Sequence, residues 1–494
     1  MGLALGHCGR VFGCAIADVF KTDLRTPAKL ALASTLGGVT RMWSTGFWVI
    51  GWALAFFLSY TIVRERRSPT STTAWLILVF AFPFIGAFIY LLIGTRKRST
   101  QRRRLRSPKG FVGAALSPHA GSSIEDFVSR LGMLPSSLND VQVHVEAGAA
   151  RRALLEVINS AEREIFVLIY DFSADKSGQE IMAALTAASD RGVKVRVLVD
   201  DVGSWAQHQV KSVSLRSRTI AIHRFKPMLA ALFLRTANLR NHRKIVVADS
   251  ARAWSGGRNI GDAYLADHAE QSRWADLSMT ITGPGAAVLD EVCRTDWLFV
   301  TGESLAIVQT EPSSPQMRCR TQILVSGPDQ RDDHWHAVLL KSLMSTKSRI
   351  WIASPYFIPD EALLQALLVA ARSGVDVRIL VPQRSDSKLV DLVANSYMSE
   401  LMRFGATVMR YNAGMMHAKV LIVDETVILG SGNFDARSFF LNYELSLLCY
   451  DNAILTAVSS YFEFLSARAT KGLRSRPAWR EALAGCARVL APML

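Results

Sequence analysis

The hydrophobic and polar positions of the chain form the same pattern twice. Residues 164–172 (EIFVLIYDF) are almost continuously apolar, and a stretch of helical periodicity separates them from a second apolar run at residues 193–201 (VKVRVLVDD). Residues 349–357 (RIWIASPYF) and 375–382 (VDVRILVP) repeat this arrangement. Continuous β-branched runs that alternate with helical segments are typical of buried strands in a layered sheet. The pattern therefore predicts an α/β fold that is built from two similar repeats.

The repeats define the domain organisation that we expect for the globular part. The first half covers residues 121–300, a connection interrupted by Pro and Gly covers residues 301–333, and the second half covers residues 334–494. The second half ends in a predicted C-terminal helix whose apolar positions are at helical spacing and should pack on the core as one stripe. The positions in that stripe are Trp479, Leu483, Cys486 and Leu490.

Two uncharged stretches precede the repeats. Residues 43–63 and 74–94 each hold 21 residues without Asp, Glu, Lys or Arg. At about 1.5 Å per residue, each helix would reach roughly 31 Å, which is enough to cross the apolar core of a bilayer. We therefore expect two transmembrane helices, with a kink at Pro83 in the second. A tail of no assigned role over residues 1–42 precedes them, and a basic linker over residues 95–120 follows.

Aromatic residues and charge favour a membrane hairpin over a pair of helices buried in a soluble core. Trp and Tyr lie near the ends of both stretches, as is typical of membrane interfaces. The connection between the stretches holds three Arg, whereas residues 96–106 hold seven basic residues. The positive-inside rule then places both ends of the hairpin in the cytoplasm. Because the first 106 residues carry +12 of the net charge of +15, the charge gives little support to a nucleic-acid partner.

A duplicated polar motif is the strongest chemical signal in the chain. Each copy has the spacing HxKxxxxD and ends in a Gly-rich turn followed by Asn. The motif residues are His242, Lys244, Asp249 and Asn259 in the first copy, and His417, Lys419, Asp424 and Asn433 in the second. The second copy has one residue fewer between Asp and Gly, so its hairpin should be tighter.

The spacing assigns the motif residues to different surfaces. Each motif should begin on a strand, where successive side chains alternate between the two faces, so that His and Lys point the same way. The two Asp stand at an odd offset from their Lys, which predicts a structural role at the strand end. A Lys beside an imidazole, with an amide donor returned by the turn, suits a phosphodiester. No ligand cluster for a metal accompanies the motif, and the Lys can supply positive charge, so we expect no metal and no cofactor.

These residues resemble the phospholipase D superfamily, and most of the chain is similar to bacterial cardiolipin synthases. The similarity is carried by the segments NLRNHRKIVV, PYFIPDEALLQAL, SGVDVRILVPQRSD, GMMHAKVLIVD and NFDARSFFLNYE. It implies that two α/β halves form one pseudo-twofold catalytic unit with a shared cleft. It also implies phosphatidyl transfer between two phosphatidylglycerol molecules at a bacterial cytoplasmic membrane, with the catalytic unit on the cytoplasmic side.

The resemblance also implies a role for each site residue. The catalytic motif would comprise His242, Lys244, Asp249, His417, Lys419 and Asp424, with His242 as the nucleophile and His417 as the acid and base. Asn259 and Asn433 would hold substrate oxygens. Asp276 and Glu444 would each accept a hydrogen bond from the His of their own half and fix its tautomer. Phosphatidylglycerol, other anionic phospholipids and the bilayer are the expected partners.

Three alternatives remain open from the sequence. A membrane-anchored phospholipase D would use the same residues to hydrolyse phospholipid diesters with water. A nuclease of the same superfamily would act on a nucleic-acid diester, although the two apolar stretches disfavour it. A membrane scaffold without activity is disfavoured because His, Lys and Asn are intact in both copies.

Overall fold

The computed structural model of the chain describes residues 46, 48–65, 69–94, 123–204, 220–225, 238–266, 274–306, 318–330, 332–473 and 478–488. The predicted tail over residues 1–42 and the predicted basic linker over residues 95–120 lie outside these residues. Contacts divide the chain into two units, of which the first includes Trp75–Phe88 and the second includes Ile89–Leu494.

The two apolar stretches form three helices: α1 (48–64), α2 (Pro69–Ala81) and α3 (Pro83–Ile93). The interruption falls at Pro83, as expected, because proline lacks the N–H that would continue the helix. The rings of Trp52 and Phe56 pack on Phe80, with ring centres 5.8 and 5.5 Å apart. Among the described residues, none of the helices combines the length and the apolar character needed to cross a membrane. The predicted spans at residues 43–63 and 74–94 are thus not confirmed as transmembrane helices.

The second unit is built on one sheet of 15 strands in the described residues. The strands are β1 (Ser137–His144), β2 (Glu164–Ile169), β3 (Lys194–Asp200), β4 (Ile220–Phe225), β5 (Ile245–Ala248), β6 (Arg252–Gly256), β7 (Ser278–Thr282), β8 (Cys319–Ser326), β9 (Arg349–Ala353), β10 (Asp376–Pro382), β11 (Thr407–Tyr411), β12 (Val420–Val423), β13 (Thr426–Gly430), β14 (Glu444–Cys449) and β15 (Ala469–Lys471). All four apolar runs that were predicted as strands are strands in the structure.

Helices accompany the strands in chain order. They are α4 (Ile124–Arg130), α5 (Ala147–Asn159), α6 (Lys176–Asp190), α7 (Asp262–Leu265), α8 (Pro284–Thr301), α9 (His334–Ser345), α10 (Glu361–Arg372), α11 (Lys388–Arg403), α12 (Ala436–Phe440), α13 (Asn452–Ser466) and α14 (Ala478–Ala487). Helices cover the sheet, and buried apolar side chains fill the layers between, so the predicted α/β fold is confirmed.

The strand order shows that the two repeats are mirrored about the centre of the sheet. The order is β15-β11-β10-β9-β12-β13-β14-β8-β1-β7-β6-β5-β2-β3-β4. Reading outward from the centre, β8, β14, β13, β12, β9, β10 and β11 match β1, β7, β6, β5, β2, β3 and β4. The halves join through antiparallel pairing of β1 with β8, where Leu138 stands opposite Arg320. This arrangement is the pseudo-twofold organisation that the resemblance implies.

Strand β8 lies inside the segment that was predicted to be a connection. Residues 301–333 contain β8, which pairs with β14 over six residue pairs from Glu444↔Ser326 to Cys449↔Thr321. The second half therefore begins earlier than residue 334. Sequence reasoning missed the strand because the Pro and Gly around it dominate the composition of this segment.

The C-terminal helix packs through residues other than those predicted. Helix α14 buries Ala484 and Ala487 and contacts α11. Trp479 is 62% exposed, and Cys486 is exposed as well. Leu490 lies outside the described residues. The prediction is therefore wrong for Trp479 and Cys486, because small Ala side chains allow the two helices to approach closely and leave the large Trp479 ring on the outer side.

Candidate active site

A central cavity of about 470 Å³ lies where the two motifs meet. Its lining includes His242 and Asn259 from the first half and His417 and Asn433 from the second. The mirrored sheet brings these residues together because β5 and β12, which follow the two His–Lys pairs, occupy matching positions. The structure thus brings together both histidines and both asparagines of the predicted site.

The histidines and lysines precede their strands instead of lying on them. Strands β5 and β12 begin one residue after Lys244 and Lys419. The preceding extended segments pair with the other half of the molecule. The backbone N–H of His242 donates to the carbonyl of Tyr443 at 2.9 Å, and that of His417 donates to the carbonyl of Ala275 at 2.7 Å. Each motif histidine is therefore held in place by backbone from the opposite half.

The side-chain partners of the histidines also cross between the halves. His242 Nδ1 lies 3.1 Å from both carboxylate oxygens of Glu444, and His417 Nδ1 lies 2.7 Å from Oδ2 of Asp276. The prediction that Asp276 serves His242 and Glu444 serves His417 is wrong. Asp276 lies just before β7, and Glu444 is the first residue of β14; each of these is the first strand after the hairpin of its own motif. These strands, β7 and β14, lie close to the midline of the sheet, from where they reach the opposite histidine.

The two carboxylates are held differently. Glu444 accepts hydrogen bonds from the hydroxyls of Ser431 and Ser438 at 2.5 and 2.8 Å, and from the amide of Asn442 at 3.3 Å. Asp276 accepts from the backbone N–H of Leu277 at 2.7 Å. The histidine partners hold the pKa of both carboxyls below the usual value despite their burial. Both groups are therefore anionic and can orient an imidazole.

Both imidazoles are neutral near pH 7. Burial lowers the pKa of His242 to about 4 and that of His417 to about 3, although the carboxylates raise both. A carboxylate at Nδ1 selects the tautomer with the proton on Nδ1, which leaves the lone pair on Nε2. The lone pair makes each imidazole competent as a nucleophile or a base.

The lysines are buried beside the histidines. Lys244 Nζ donates to the carbonyl of His242 at 2.7 Å, and Lys419 Nζ donates to the carbonyl of His417 at 2.6 Å. Burial lowers the pKa of Lys244 to about 7 and that of Lys419 to about 8. An anion in the cavity would favour the charged form of both, as opposite charges do.

Asn259 and Asn433 are almost fully buried at the cavity wall. The amide nitrogen of Asn259 donates to the hydroxyl of Tyr264 at 3.1 Å. Within the described part of the chain, the Oδ1 atoms of both asparagines have no hydrogen-bond partner. A buried polar atom without a partner carries a free-energy cost, which a bound ligand can remove. Both asparagines therefore have free capacity for a ligand.

The two motif aspartates lie outside the cavity lining and bind backbone. Asp249 accepts hydrogen bonds from the N–H groups of residues 162–164 at 2.7 to 2.9 Å. Asp424 accepts from those of residues 347–349 at 2.8 to 3.1 Å. The position of the two aspartates does not support a catalytic role. It agrees with the structural role that their odd offset from the lysines predicted.

The hairpins after the motifs differ as their spacing predicts. Three residues separate β5 from β6, whereas two separate β12 from β13. Asp249 and Asp424 open these turns with φ angles of 52° and 49°. Asp tolerates this left-handed region better than most residues because its short side chain can hydrogen-bond locally. The second hairpin is the tighter one.

Aromatic residues around the histidines were not found from the sequence. The ring of Tyr170 packs edge-on against His242 with centres 5.0 Å apart. Tyr264 and Trp274 pack on His417 with centres 5.3 and 5.2 Å apart. Tyr170 directly follows β2, so its place at the end of a buried strand was an available signal. No such signal marks Tyr264 and Trp274 in the sequence, because they reach His417 from the other half.

The matching family models agree with this geometry. The model described as "Cardiolipin synthase, PLD-like domain" matches residues 154–275 and 339–465. The model described as "Phospholipase_D-nuclease N-terminal" matches residues 53–94. One copy of the first model falls within each half of the sheet, and the second model falls on the helical hairpin.

Relatives and solved structures extend the comparison to nearly the whole chain. A cardiolipin synthase of Alkalihalophilus pseudofirmus is 32% identical over 483 residues, covering 92% of this chain and 96% of its own. One of Halalkalibacterium halodurans is 32% identical over 512 residues, covering 96% and 100%.

The crystal structure of phosphatidylserine synthase from Haemophilus influenzae has a TM-score of 0.58 at 16% identity, which covers 75% of this chain and all of that one. At this identity the likeness concerns the fold alone. The family assignment rests on the duplicated domain model and on relatives above 30% identity along most of their length. On these grounds, the chain belongs to the cardiolipin synthase family of phospholipase D-like proteins.

Proposed function

We propose that the protein is a phosphatidyltransferase that converts two phosphatidylglycerol molecules into cardiolipin and glycerol. The observation that carries this proposal is the pair of neutral histidines at one cavity, each oriented by a carboxylate from the opposite half. Such a pair supplies one nucleophile and one acid or base without a cofactor. The names of the curated relatives supply the lipid chemistry.

In the first half-reaction, Nε2 of His242 attacks the diester phosphorus of the donor lipid. The bond between phosphorus and the glycerol headgroup oxygen breaks, and a phosphatidyl-histidine forms. His417 gives a proton to the departing glycerol oxygen, so it must enter this step protonated. Substrate can supply that condition, because the phosphate charge raises the pKa of a nearby imidazole.

In the second half-reaction, a headgroup hydroxyl of the acceptor phosphatidylglycerol attacks the same phosphorus. His417, now neutral, accepts the hydroxyl proton, and the bond between phosphorus and His242 breaks. Cardiolipin leaves, and both histidines return to their starting protonation states. Glu444 keeps the His242 imidazole in one orientation through both steps, and Asp276 does the same for His417.

Lys244, Lys419, Asn259 and Asn433 offset the charge that develops on the phosphoryl oxygens. Buried cations and amide donors that are already in place stabilise such charge more strongly than water does. The proposed steps therefore need no metal ion. Activity in excess EDTA should equal that without it, and a loss that zinc or magnesium restores would contradict this mechanism.

We further propose that residues 43–63 and 74–94 anchor the enzyme in the bacterial cytoplasmic membrane with both ends in the cytoplasm. Large apolar side chains of the hairpin remain exposed, among them Phe56 at 66% and Phe88 at 63%. Exposed apolar patches of this kind mark contacts with lipid or protein. Replacing Phe56 and Phe88 together by Lys should release the protein from washed membranes, whereas Glu65→Lys, a control in the charged connection, should not.

The product of pure phosphatidylglycerol tests the proposed function. Transfer gives cardiolipin and glycerol, whereas hydrolysis by a phospholipase D would give phosphatidic acid and glycerol. We expect purified full-length protein in phosphatidylglycerol vesicles to form cardiolipin as the main lipid product. Phosphatidic acid as the main product would contradict the proposed transfer and indicate hydrolysis instead.

The roles of the histidines have a separate test. In the His417→Ala variant, attack by His242 can still occur slowly on an activated short-chain donor. We expect a phosphatidyl adduct on His242, found by peptide mass spectrometry. An adduct on His417 in the His242→Ala variant would reverse the two roles.

A further inference from the structure

One carboxylate of the central cavity has no function in the mechanism above. Asp171 follows β2, lines the cavity, and lies close enough to Lys244 for that cation to influence its charge. In the described part of the chain, no hydrogen bond joins its carboxylate to another group. An anionic group in a cavity for a phosphodiester repels the substrate. Its presence therefore calls for a ligand group that it can bind.

The two halves carry different residues at the position of Asp171, as their pseudo-twofold relation shows. Phe172 forms a bridge with Ile260, the residue after Asn259, and Phe357 forms the matching bridge with Phe434, the residue after Asn433. The position before Phe172 is Asp171, so the matching position in the second half is Tyr356. The Tyr356 hydroxyl donates to the exposed carboxylate of Asp386 at 2.8 and 2.9 Å, whereas Asp171 has no such partner.

A second unsatisfied acceptor lies beside Asp171. The N–H of Ile260 donates to the backbone carbonyl of Asp171 at 3.1 Å, which places Asn259 next to it at the cavity wall. Asn259 is 3% exposed, and among the described residues its Oδ1 has no partner. A carboxylate and an amide oxygen are both acceptors. They fit a ligand group that donates hydrogen bonds, which an ionised phosphodiester cannot do.

The charge around Asp171 favours a neutral donor over a cation. Burial raises the pKa of Asp171 to about 6, and Lys244 opposes that shift. Above that pH the carboxylate is ionised, and Lys244 is the cation that influences its charge. A second cation from a substrate would meet Lys244 as a like charge, whereas a hydroxyl would not.

Asp171 lines the same cavity as Tyr264 and His417. Burial raises the pKa of Tyr264, and the charges of Asp276 and Asp171 add to that rise. The Tyr264 ring packs on His417, the proposed acid and base. Asp171 and the proposed acid and base therefore face one cavity, in which the headgroup oxygen exchanges its proton.

We propose that Asp171, with Asn259 beside it, is the specificity-determining residue that binds the headgroup hydroxyl next to the one that reacts. This role rests on the proposed function, in which glycerol leaves and a glycerol headgroup attacks. The vicinal diol offers one hydroxyl to phosphorus and the other to Asp171. An acceptor lipid with a single hydroxyl would leave the carboxylate without its partner, and sites of this kind discriminate strongly against such analogues.

A competition between two acceptor lipids tests the proposal on the full-length protein. The added donor is phosphatidyl-p-nitrophenol with an isotope label in its phosphatidyl group, so that release of p-nitrophenol reports the first half-reaction and the label identifies the products formed from it. Vesicles contain equal amounts of phosphatidylglycerol and of the analogue whose headgroup is propane-1,3-diol. Mass spectrometry gives the ratio of the two condensed products. We expect the wild-type ratio to favour the glycerol headgroup by about tenfold or more.

Variants then assign the discrimination to Asp171. Asp171→Ala should bring the product ratio close to one while p-nitrophenol release continues, and Asp171→Asn, which keeps the size of the side chain, should give an intermediate ratio. The matched control is Asp386→Asn, which removes an exposed carboxylate at the same cavity and should leave the ratio unchanged.

The outcomes separate this inference from the proposed function. A wild-type ratio near one, or an unchanged ratio in Asp171→Ala, would overturn the role of Asp171 while cardiolipin formation stood. Equal loss of p-nitrophenol release and of both products in both Asp171 variants would also overturn it, since Asp171 would then only tune Lys244. Release of p-nitrophenol with phosphatidic acid as the sole lipid product in the wild type would instead overturn the proposed function.

Discussion

The first half of the sheet, β1 to β7, and the second half, β8 to β14, each place a His and an Asn at one cavity, with a Lys buried beside the His. Each half supplies a His, a Lys and an Asn, and each hairpin begins with an Asp that binds backbone. The halves differ at two matching positions. The carboxylate that orients a histidine is Asp276 in the first half and Glu444 in the second, and Asp171 in the first half corresponds to Tyr356 in the second. In the proposed mechanism, the shared residues contact the phosphoryl group. The differing residues would then contact the groups that are unlike on the two sides of the phosphorus.

The crossed contacts show that neither half can be an active site alone. His242 takes its carboxylate and its backbone partner from the second half, and His417 takes both from the first. The comparison therefore predicts one site, to which each half contributes an incomplete set of groups.

The largest expected effect comes from removing either histidine. Two independent sites would leave about half of the activity in His242→Ala or His417→Ala. One shared site should lose about 10²-fold or more in each, because loss of acid–base catalysis alone costs about 10²- to 10⁴-fold. Cardiolipin formation in vesicles measures this, and half-activity in both variants would end the one-site account.

Removing one orienting carboxylate should have the next largest effect. Glu444→Gln and Asp276→Asn keep the size of the side chain but lose the charge that fixes the imidazole. We expect kcat to fall by about 10- to 100-fold in each, the usual loss when the orienting partner of a functional histidine is removed. Lipid-binding affinity should change less. If either variant kept wild-type kcat, that carboxylate would have no part in catalysis.

The pKa values of the two lysines predict how kcat/KM falls at alkaline pH. Burial lowers the pKa of Lys244 to about 7 and that of Lys419 to about 8, so the free enzyme loses both ammonium charges as pH rises through this range. Because kcat/KM reports groups of the free enzyme, it should fall above pH 7 to 8, by about tenfold per unit for each group that must be charged. A profile that stays level to pH 10 would contradict these pKa values.

The smallest effect on activity should come from the motif aspartates. Asp249→Ala and Asp424→Ala leave several backbone N–H groups without their acceptor, so the free energy of unfolding should fall by about 1 to 3 kcal/mol. Asp249→Asn, which suits the left-handed backbone, should lose less. Urea unfolding measures the change, and kcat per folded molecule should stay within about threefold of wild type. A folded but inactive Asp249→Ala protein would restore this residue to the catalytic set.

Much of this arrangement could be predicted because it depends on local pattern. The apolar runs at β2, β3, β9 and β10 and the tighter second hairpin follow from periodicity and spacing. The crossed pairing could not be predicted in this way. Nothing in the spacing between Asn433 and Glu444 says which histidine the carboxylate reaches, because the answer depends on how β14 and β7 lie beside the midline of the sheet. Strand β8 was missed because Pro and Gly dominate the composition around it, and the outward face of Trp479 was missed because it depends on how the C-terminal helix packs on α11.

The crossing of the carboxylates is the central claim, and the pKa of each histidine tests it most directly. Exchange of the imidazole Cε1 hydrogen for deuterium, followed peptide by peptide with mass spectrometry, gives a separate apparent pKa for His242 and His417. Glu444 raises the pKa of His242 and Asp276 raises that of His417. We predict that Glu444→Gln lowers the pKa of His242 and leaves His417 unchanged, and that Asp276→Asn does the reverse. A shift of His417 in Glu444→Gln, with His242 unchanged, would contradict the account.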